Sequence, residues 1–363
     1  MIDLIASIAK FLGIDAQTLG NAIKNARERL EEKALNKRKE REATFATNQA
    51  ICELIGRYYG LEDAEGNWRR YGFLVNQQAF LTTVYTNRSF LSLNRAPLDI
   101  PMTLHQQETA DPDIAPEVQN YAPVVYARLE QMGAKLWPGP TYRLLDHGTD
   151  QNLHFLFSMT DFVKFRLTTG LLPYELSDAL ADYQGRIDDI LANAPSALTV
   201  RGFLLPDLLS LIDFRSRICV GGIGVVFALA RGAPDNDFVI PIQIRSDKVS
   251  DTQGQYALLP KATHQPIVGA IQEVNVHWTI FREVFEEVFG GEEAESGSKR
   301  MKFDWYFDEH PALEYFRSHE GTYNLEITGY GINAIGGNYD LATLLAVRWC
   351  GEIITHRSGR VSE

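Results

Sequence analysis

A short amphipathic segment, residues 277–291 with the sequence HWTIFREVFEEVFGG, constrains the fold more than any other part of the chain. Its apolar residues recur at i, i+3, i+4 and i+7, which places them on one face of an α-helix. These residues are Phe281, Val284, Phe285 and Val288. Thr279 is the predicted N-cap, and Gly290 and Gly291 are of the residue type that ends a helix in the left-handed conformation. The segment therefore predicts a helix that docks on a core.

Acidic residues occupy the opposite face of this predicted helix. Glu283, Glu286 and Glu287 stand at i, i+3 and i+4, so each pair of like charges costs about 0.2–0.5 kcal/mol. A hard divalent cation would offset this repulsion, because Mg²⁺ takes oxygen ligands and is often held by one or two carboxylates together with substrate phosphates. The alternative is a solvated face on which Arg282 pairs with Glu286 at i, i+4.

The run REVFEEVFGG resembles the second half of the Nudix box, in which Arg-Glu, an aliphatic residue, any residue and Glu-Glu are followed by Gly. The segments 225–230, 238–246 and 256–260 are similar to the strands and the proline that precede that box. Residues 324–347, NLEITGYGINAIGGNYDLATLLAV, resemble a strand and the final helix of the fold. The resemblance covers about the last 150 of the 363 residues.

The resemblance implies an α/β/α sandwich with a mixed sheet. It also implies a hydrolase that uses Mg²⁺ or Mn²⁺ to cleave a nucleoside diphosphate linked to another moiety. The implied metal ligands are Glu283, Glu286 and Glu287, and Arg282 would position Glu283 by charge pairing. The metal would neutralise the diphosphate and lower the pKa of the attacking water. A nucleotide-type small molecule is therefore the expected ligand.

The box departs from the family pattern in three places. The pattern requires Glu at position 274, whereas this chain has Val274 with Glu273 beside it. Two residues instead of one separate the Glu pair from the Gly, and Lys261 and Ala262 replace the usual Gly-Gly. Nudix-like domains with altered boxes include enzymes and also non-catalytic ligand sensors. The alternative function is therefore a regulator that senses a nucleotide without cleaving it.

Further site residues are expected outside the second half of the box. Glu273 is the nearest substitute for the missing upstream Glu, so we predict that it joins the Arg-Glu pair in catalysis. His264 and His277, on either side of it, and Glu326, on a later strand, are the candidate phosphate or substrate contacts. Each of these side chains has the alternative of a structural or merely solvated role.

The chain is predicted to belong to the α+β class and to contain three regions. Residues 1–60 form a helical arm, because they are rich in strong helix formers. Within it the sparsely apolar run 16–41 predicts a solvent-exposed rod, a partner-binding helix or a coiled coil. Residues 61–200 mix strand and helix patterns in an α+β domain of unknown role, and residues 201–363 form the Nudix-like domain.

Composition limits the classes of partner that the protein is expected to bind and the cellular compartment in which it is expected. A formal net charge of −12 argues against broad nucleic-acid affinity, which depends on neutralising phosphates. The three cysteines are far apart in the sequence, which favours a reducing cytoplasm. No run reaches the roughly 18 apolar residues of a membrane span, so we expect a cytoplasmic protein without membrane association.

The N-terminal helices are candidate binding sites for a macromolecular partner. Residues 8–23 have the residue pattern of a helix-turn-helix, and a basic run to residue 41 follows them. The basic side chains of this run suit contacts with phosphates. In the regulator hypothesis these helices bind DNA or a protein. A third hypothesis is a scaffold that forms a homo-oligomer through the same helices.

Overall fold

The structure is a computed structural model. Helices and mixed sheets alternate along the described residues, which confirms the α+β class. Within these residues, no helix is both long enough and apolar enough to cross a membrane. The structure describes residues 2–34, 43–60, 68–75, 78–85, 96–97, 100–105, 109–134, 136, 138–147, 154–230, 237–244, 256–269, 271–292, 302–319 and 321–348.

The N-terminal helices pack into the core instead of projecting from it. They are α1 (Ile2–Leu12), α2 (Ala16–Ala34) and α3 (Ala43–Tyr58). Helix α1 packs on α2, whose main neighbour is α4 (Pro116–Gln131). Helix α2 lies along α4 and buries Leu19, Ile23 and Ala26. The prediction of a solvent-exposed rod is therefore wrong for this half of α2, because three apolar residues at i, i+4 and i+7 form a stripe that suffices for docking. Residues 35–41 of the predicted rod lie outside the described residues.

A hairpin, a three-stranded sheet and a series of short helices follow. Strands β1 (Trp68–Val75) and β2 (Gln78–Tyr85) pair antiparallel. In the three-stranded sheet the order is β4-β6-β5, with β4 parallel to β6 and β5 antiparallel to it. The remaining elements are β3 (Ala96–Pro97), β4 (Met102–Leu104), β5 (Pro140–His147), β6 (Phe155–Asp161), α5 (Phe162–Arg166), α6 (Leu172–Asp182), α7 (Ile187–Ala192), α8 (Ala194–Ala197), α9 (Thr199–Leu204) and α10 (Leu208–Ile212).

The C-terminal sheet is mixed, with the order β11-β7-β13-β12-β3 and β8 paired to the end of β7. Strands β7 and β13 run parallel and the other pairs are antiparallel. Residues 339–347, where the resemblance predicted the final helix, form a strand whose burial alternates with a period of two. The elements are β7 (Gly221–Ala230), β8 (Phe238–Val239), β9 (Ile242–Ile244), β10 (Tyr256–Leu258), β11 (Lys261–Thr263), α11 (Val276–Glu283), α12 (Tyr306–Glu309), α13 (Pro311–Ser318), β12 (Tyr323–Ile332) and β13 (Tyr339–Val347).

A buried arginine, Arg201 on α9, ties the N-terminal helices to the C-terminal sheet. Its guanidinium donates to the Tyr59 hydroxyl and to the Ala334 carbonyl, both at 2.9 Å. It also donates to the carbonyl of Ile335, in the turn between β12 and β13. The Glu175 carboxylate accepts the backbone N–H of Arg201 at 2.9 Å and places a negative charge nearby. All three predicted regions therefore contribute to one buried polar network.

A second buried arginine, Arg217, holds the same turn from the other side. Its Nε donates to the Gly337 carbonyl at 2.9 Å and its Nη2 to the Leu211 carbonyl at 2.7 Å. Gly337 has a φ of 68°, and a Cβ at this position would come within 2.8 Å of the Leu205 side chain. Only glycine combines left-handed backbone with so close an approach. The turn is thus held in one conformation by packing and by hydrogen bonds.

We expect Arg201→Met to lower the free energy of unfolding by about 3–5 kcal/mol, because removal of one member of a buried charged network leaves the others unpaired. The matched control is Arg186→Met, since Arg186 is an exposed arginine that pairs with exposed Asp189 and such pairs contribute little. Urea denaturation of both variants checks this. Equal losses of stability in the two variants would contradict the role given to Arg201.

Candidate ligand site beside the box helix

The predicted amphipathic helix forms as α11 followed by a π-helical turn, Val284–Val288; together we call them the box helix. It begins earlier than predicted, because Asn275 is the N-cap and its side chain accepts the His277 N–H at 3.0 Å. Thr279, the predicted N-cap, lies buried inside the helix. Gly290 ends the helix with a φ of 68°, as predicted. Of the predicted apolar face, Phe281, Val284 and Phe285 are buried and Val288 is partly buried.

The π-helical turn displaces the acidic residues from the positions that α-helical spacing would give them. The Phe289 N–H donates to the Val284 carbonyl at 3.0 Å, which is the i to i+5 bond that widens the turn. Glu286 and Glu287 lie within this wider turn, whereas Glu283 precedes it. The turn coincides with the place where the box has one more residue than the family pattern. The sequence pattern assumed a regular α-helix and therefore missed it.

Arg282 engages two of the three predicted metal ligands. Its guanidinium, 5% exposed, donates to Glu283 Oε1 at 2.6 Å and lies 3.9 Å from Glu286 Oε1. It also donates to the Gln265 carbonyl at 3.2 Å. Burial alone would lower the pKa of Arg282, but the adjacent carboxylates of Glu283 and Glu286 outweigh burial and raise it. The predicted pairing of Arg282 with Glu283 is thus present, and so is the alternative pairing with Glu286.

The third acid, Glu287, turns toward the sheet. Its Oε2 accepts the backbone N–H of Lys261, the first residue of β11, at 3.1 Å. Glu283 and Glu286 therefore share Arg282 as a partner, whereas Glu287 has a different one. Over the described ranges, no group of three or more His, Cys, Asp or Glu side chains is arranged to hold a metal ion. The predicted ligand set of Glu283, Glu286 and Glu287 does not fit a metal centre in this conformation, because two of its members face Arg282.

Glu273, the predicted substitute for the missing catalytic Glu, is buried and holds a loop in place. Its carboxylate accepts the backbone N–H of Ile267 at 2.8 Å and that of Val268 at 3.2 Å. These charge-assisted bonds order the segment between β11 and the box helix. Glu273 also lines the cavity described below, so it lies near the box helix as predicted while its oxygens serve the backbone.

His264, a predicted substrate contact, is completely buried. Its Nε2 donates to the Val274 carbonyl at 2.9 Å, so the neutral Nδ1 accepts from the Tyr339 hydroxyl at 2.9 Å. Burial lowers the pKa of His264 to about 3, and burial lowers that of His277 to about 4. His277 packs among aromatic rings, with Trp278 at 5.0 Å and Phe281 at 4.8 Å between ring centroids. Both histidines are packed as neutral core groups rather than directed at a ligand.

Glu326, the other predicted substrate contact, lies far from the box helix. It is on β12, where it accepts a hydrogen bond from the Asn324 amide. Strand β12 is three positions across the sheet from β11, which corresponds to roughly 14 Å at the usual strand spacing. Because Glu287 binds the start of β11, the structure does not bring Glu326 together with Glu287.

A small cavity of about 10 Å³, which is room for about one water molecule, lies beside the N-terminal half of the box helix. Its apolar walls come from Trp278, Phe303, Trp305 and Tyr306, and its polar wall includes Arg282. Trp278 and Phe303 meet edge to face with their ring centroids 4.7 Å apart, and both are partly exposed. Trp305 and Tyr306 are buried, and the Tyr306 hydroxyl donates to the Trp278 carbonyl at 2.9 Å. Aromatic rings from two separate segments thus enclose one space.

Thr279 adds an unpaired polar atom to this cavity. The residue is 2% exposed, it lines the cavity, and its Oγ1 has no hydrogen-bond partner. A buried hydroxyl without a partner costs about 1–3 kcal/mol, so such an atom needs an explanation. Sequence analysis missed this residue because a threonine near the start of a helix is most simply interpreted as an N-cap.

The comparisons with known proteins assign no family to the chain. No known family model matches the sequence, and no curated protein matches it significantly. The Nudix relationship therefore stays a prediction that rests on the box and its flanks.

Buried His264 and partly buried His277 predict a loss of stability in mild acid. Each must stay neutral in the folded protein but takes up a proton from pH 6.5 downward when unfolded. Their contribution is complete above pH 6.5 and is lost as the pH falls toward 4, by about 1.4 kcal/mol per pH unit for each histidine. Urea denaturation at several pH values measures the slope. His277→Phe should halve it and the exposed control His319→Gln should not, whereas an unchanged slope in His277→Phe would contradict the assignment.

Proposed function

We propose that the aromatic cavity beside the box helix binds a nucleotide-type small molecule and that the protein senses this ligand without hydrolysing it. The proposal is carried by one grouping: Thr279, whose hydroxyl has no hydrogen-bond partner, lines a small cavity together with Arg282 and partly exposed aromatic rings. A ligand atom that replaces the single water for which the cavity has room would satisfy this hydroxyl. The proposal takes the class of ligand from the resemblance to the Nudix box.

The aromatic walls suit a planar ring. Trp278 and Phe303 are the partly exposed members of the lining, and aromatic faces stack on bases with about 1–3 kcal/mol per base. The cavity, about 10 Å³, has room for about one water molecule and is far smaller than the roughly 300–1,000 Å³ that hold a drug-sized ligand. In our proposal a planar ring therefore binds by displacing the partly exposed Trp278 and Phe303 rings and stacking on them, and the remainder of the ligand lies outside the cavity.

Arg282 supplies a cation for an anionic part of the ligand. It lines the cavity with its guanidinium buried, and a guanidinium binds phosphate oxygens with two parallel hydrogen bonds. Glu283 and Glu286 already share this charge, so a phosphate would compete with them. This competition gives the site a way to report occupancy, because binding would release a carboxylate from Arg282.

Hydrolysis is supported less well by the same geometry. A Nudix-type reaction needs carboxylates that converge on Mg²⁺ or Mn²⁺, whereas Glu283 and Glu286 face Arg282 and Glu287 binds the backbone of Lys261. Metal binding would therefore remove the carboxylates from Arg282 and leave its buried guanidinium without a counter-charge, which is costly. A bound phosphate would instead replace the carboxylate that it releases, and this difference favours the binding hypothesis.

Thr279→Val tests the cavity with opposite effects on stability and on binding. Removal of the unpaired hydroxyl should raise the free energy of unfolding of the ligand-free protein by about 1 kcal/mol, while affinity for a bound nucleoside or nucleoside diphosphate falls about tenfold. Thermal denaturation with and without a panel of these compounds measures both effects, since a ligand of the folded state raises its stability.

The matched control for this test is Thr343→Val. Thr343 is also buried, but it lies on β13 and its hydroxyl donates to the Gly224 carbonyl at 3.3 Å. This variant should lose stability and keep its affinity for the ligand. If no compound of the panel stabilises the wild-type protein, or if Thr279→Val binds as tightly as wild type, the proposed site is wrong.

A turnover assay separates sensing from hydrolysis. With Mg²⁺ or Mn²⁺ and nucleoside diphosphates linked to a second moiety, we expect stabilisation of the protein and no release of product. Glu287→Gln should leave this stabilisation unchanged. Product release that is abolished in Glu287→Gln, and retained in the exposed control Glu314→Gln, would contradict the sensing hypothesis and favour the hydrolase.

A further inference from the structure

The outer face of the β9–β10 hairpin carries apolar side chains where a free surface carries polar ones. Ile242, Ile244 and Tyr256 are 60%, 65% and 79% exposed. Between them, Gln243 and Ala257 face the protein and are half-buried. In a sheet with one solvated face the alternation is the reverse, with apolar residues inside and polar residues outside. The inverted pattern indicates a face that is covered by a binding partner when the protein functions.

The strand register gathers these side chains into one surface. Tyr256 is opposite Ile244, and Leu258 is opposite Ile242, in an antiparallel pair. Directly opposed residues have their side chains on the same face of a hairpin. Phe238 and Ile240 extend the surface, because they are four and two positions before Ile242 and alternate residues of an extended chain lie on the same face. We call this surface the apolar hairpin face, and it comprises Phe238, Ile240, Ile242, Ile244, Tyr256 and Leu258.

The area of the apolar hairpin face matches one side of a stable dimer. Its members are between 38% and 79% exposed. At roughly 150–250 Å² for a fully exposed large side chain, they expose on the order of 500–800 Å². Monomers rarely expose a contiguous apolar patch above about 300–600 Å². A standard interface buries about 800 Å² on each partner.

We propose that two copies of the chain associate through the apolar hairpin face about a two-fold axis. A two-fold contact needs a self-complementary surface, and a face without charged members is complementary to itself. Interfaces between identical chains are also the more apolar class. Strands β9 and β10 form a sheet of only two strands within the described residues. An isolated two-stranded hairpin is only marginally stable in water, so contact with a second copy would stabilise both hairpins.

Light scattering of the full-length chain after size-exclusion chromatography tests this proposal. The wild-type protein should have twice the mass of one chain at micromolar concentration. Ile244→Glu should raise the dimer dissociation constant by about 100-fold or more, because a charge would be buried without a partner. The side chain is exposed in the monomer, so this variant should keep its fold by circular dichroism.

The matched control is Leu209→Glu on α10, where the side chain is 73% exposed outside the apolar hairpin face. This variant should remain a dimer. A monomeric wild-type protein would overturn the proposal, and so would a dimer that survives Ile244→Glu, which would favour assembly through the N-terminal helices. A monomer that sediments with phosphatidylcholine vesicles through the same face would overturn it in favour of a membrane surface.

Discussion

Buried guanidinium groups set the arrangement of the segments. An arginine has five N–H donors and a charge that is costly to remove from water, so a buried one needs several acceptors around it. Arg201 and Arg217 meet carbonyl oxygens in the turn between β12 and β13. Arg143, also buried, donates to the carbonyls of Arg217 and Arg215 at 3.0 and 2.8 Å. These acceptors belong to segments that are far apart in the chain. The hydrogen bonds to them therefore fix how these segments pack against one another.

The same constraint acts at the box helix with a different kind of acceptor. Arg282 is satisfied by carboxylates and one carbonyl, so the acids that would neutralise a metal ion neutralise a side chain instead. The π-helical turn supports this arrangement, since it separates Glu287 from Glu283 and directs it to β11. The box helix thus has the residue types of the pattern without bringing its three carboxylates together.

The two proposals concern neighbouring parts of the chain. Two residues connect β10, which belongs to the apolar hairpin face, to β11, whose Lys261 binds Glu287. The loop that follows β11 is held by Glu273, which lines the aromatic cavity. Covalent continuity over so short a distance is a physical route by which association of two copies would influence the box helix.

Local pattern determined the α+β class, the apolar face of the box helix and its end at Gly290, because such features depend on neighbours in the sequence. Tertiary structure decided that Thr279 is buried in a cavity rather than an N-cap, and that residues 339–347 form a strand beside β7. It also determined the partners of Arg282 and Glu287. These outcomes depend on desolvation and on contacts between residues far apart in the chain, which the local spacing of residues does not encode.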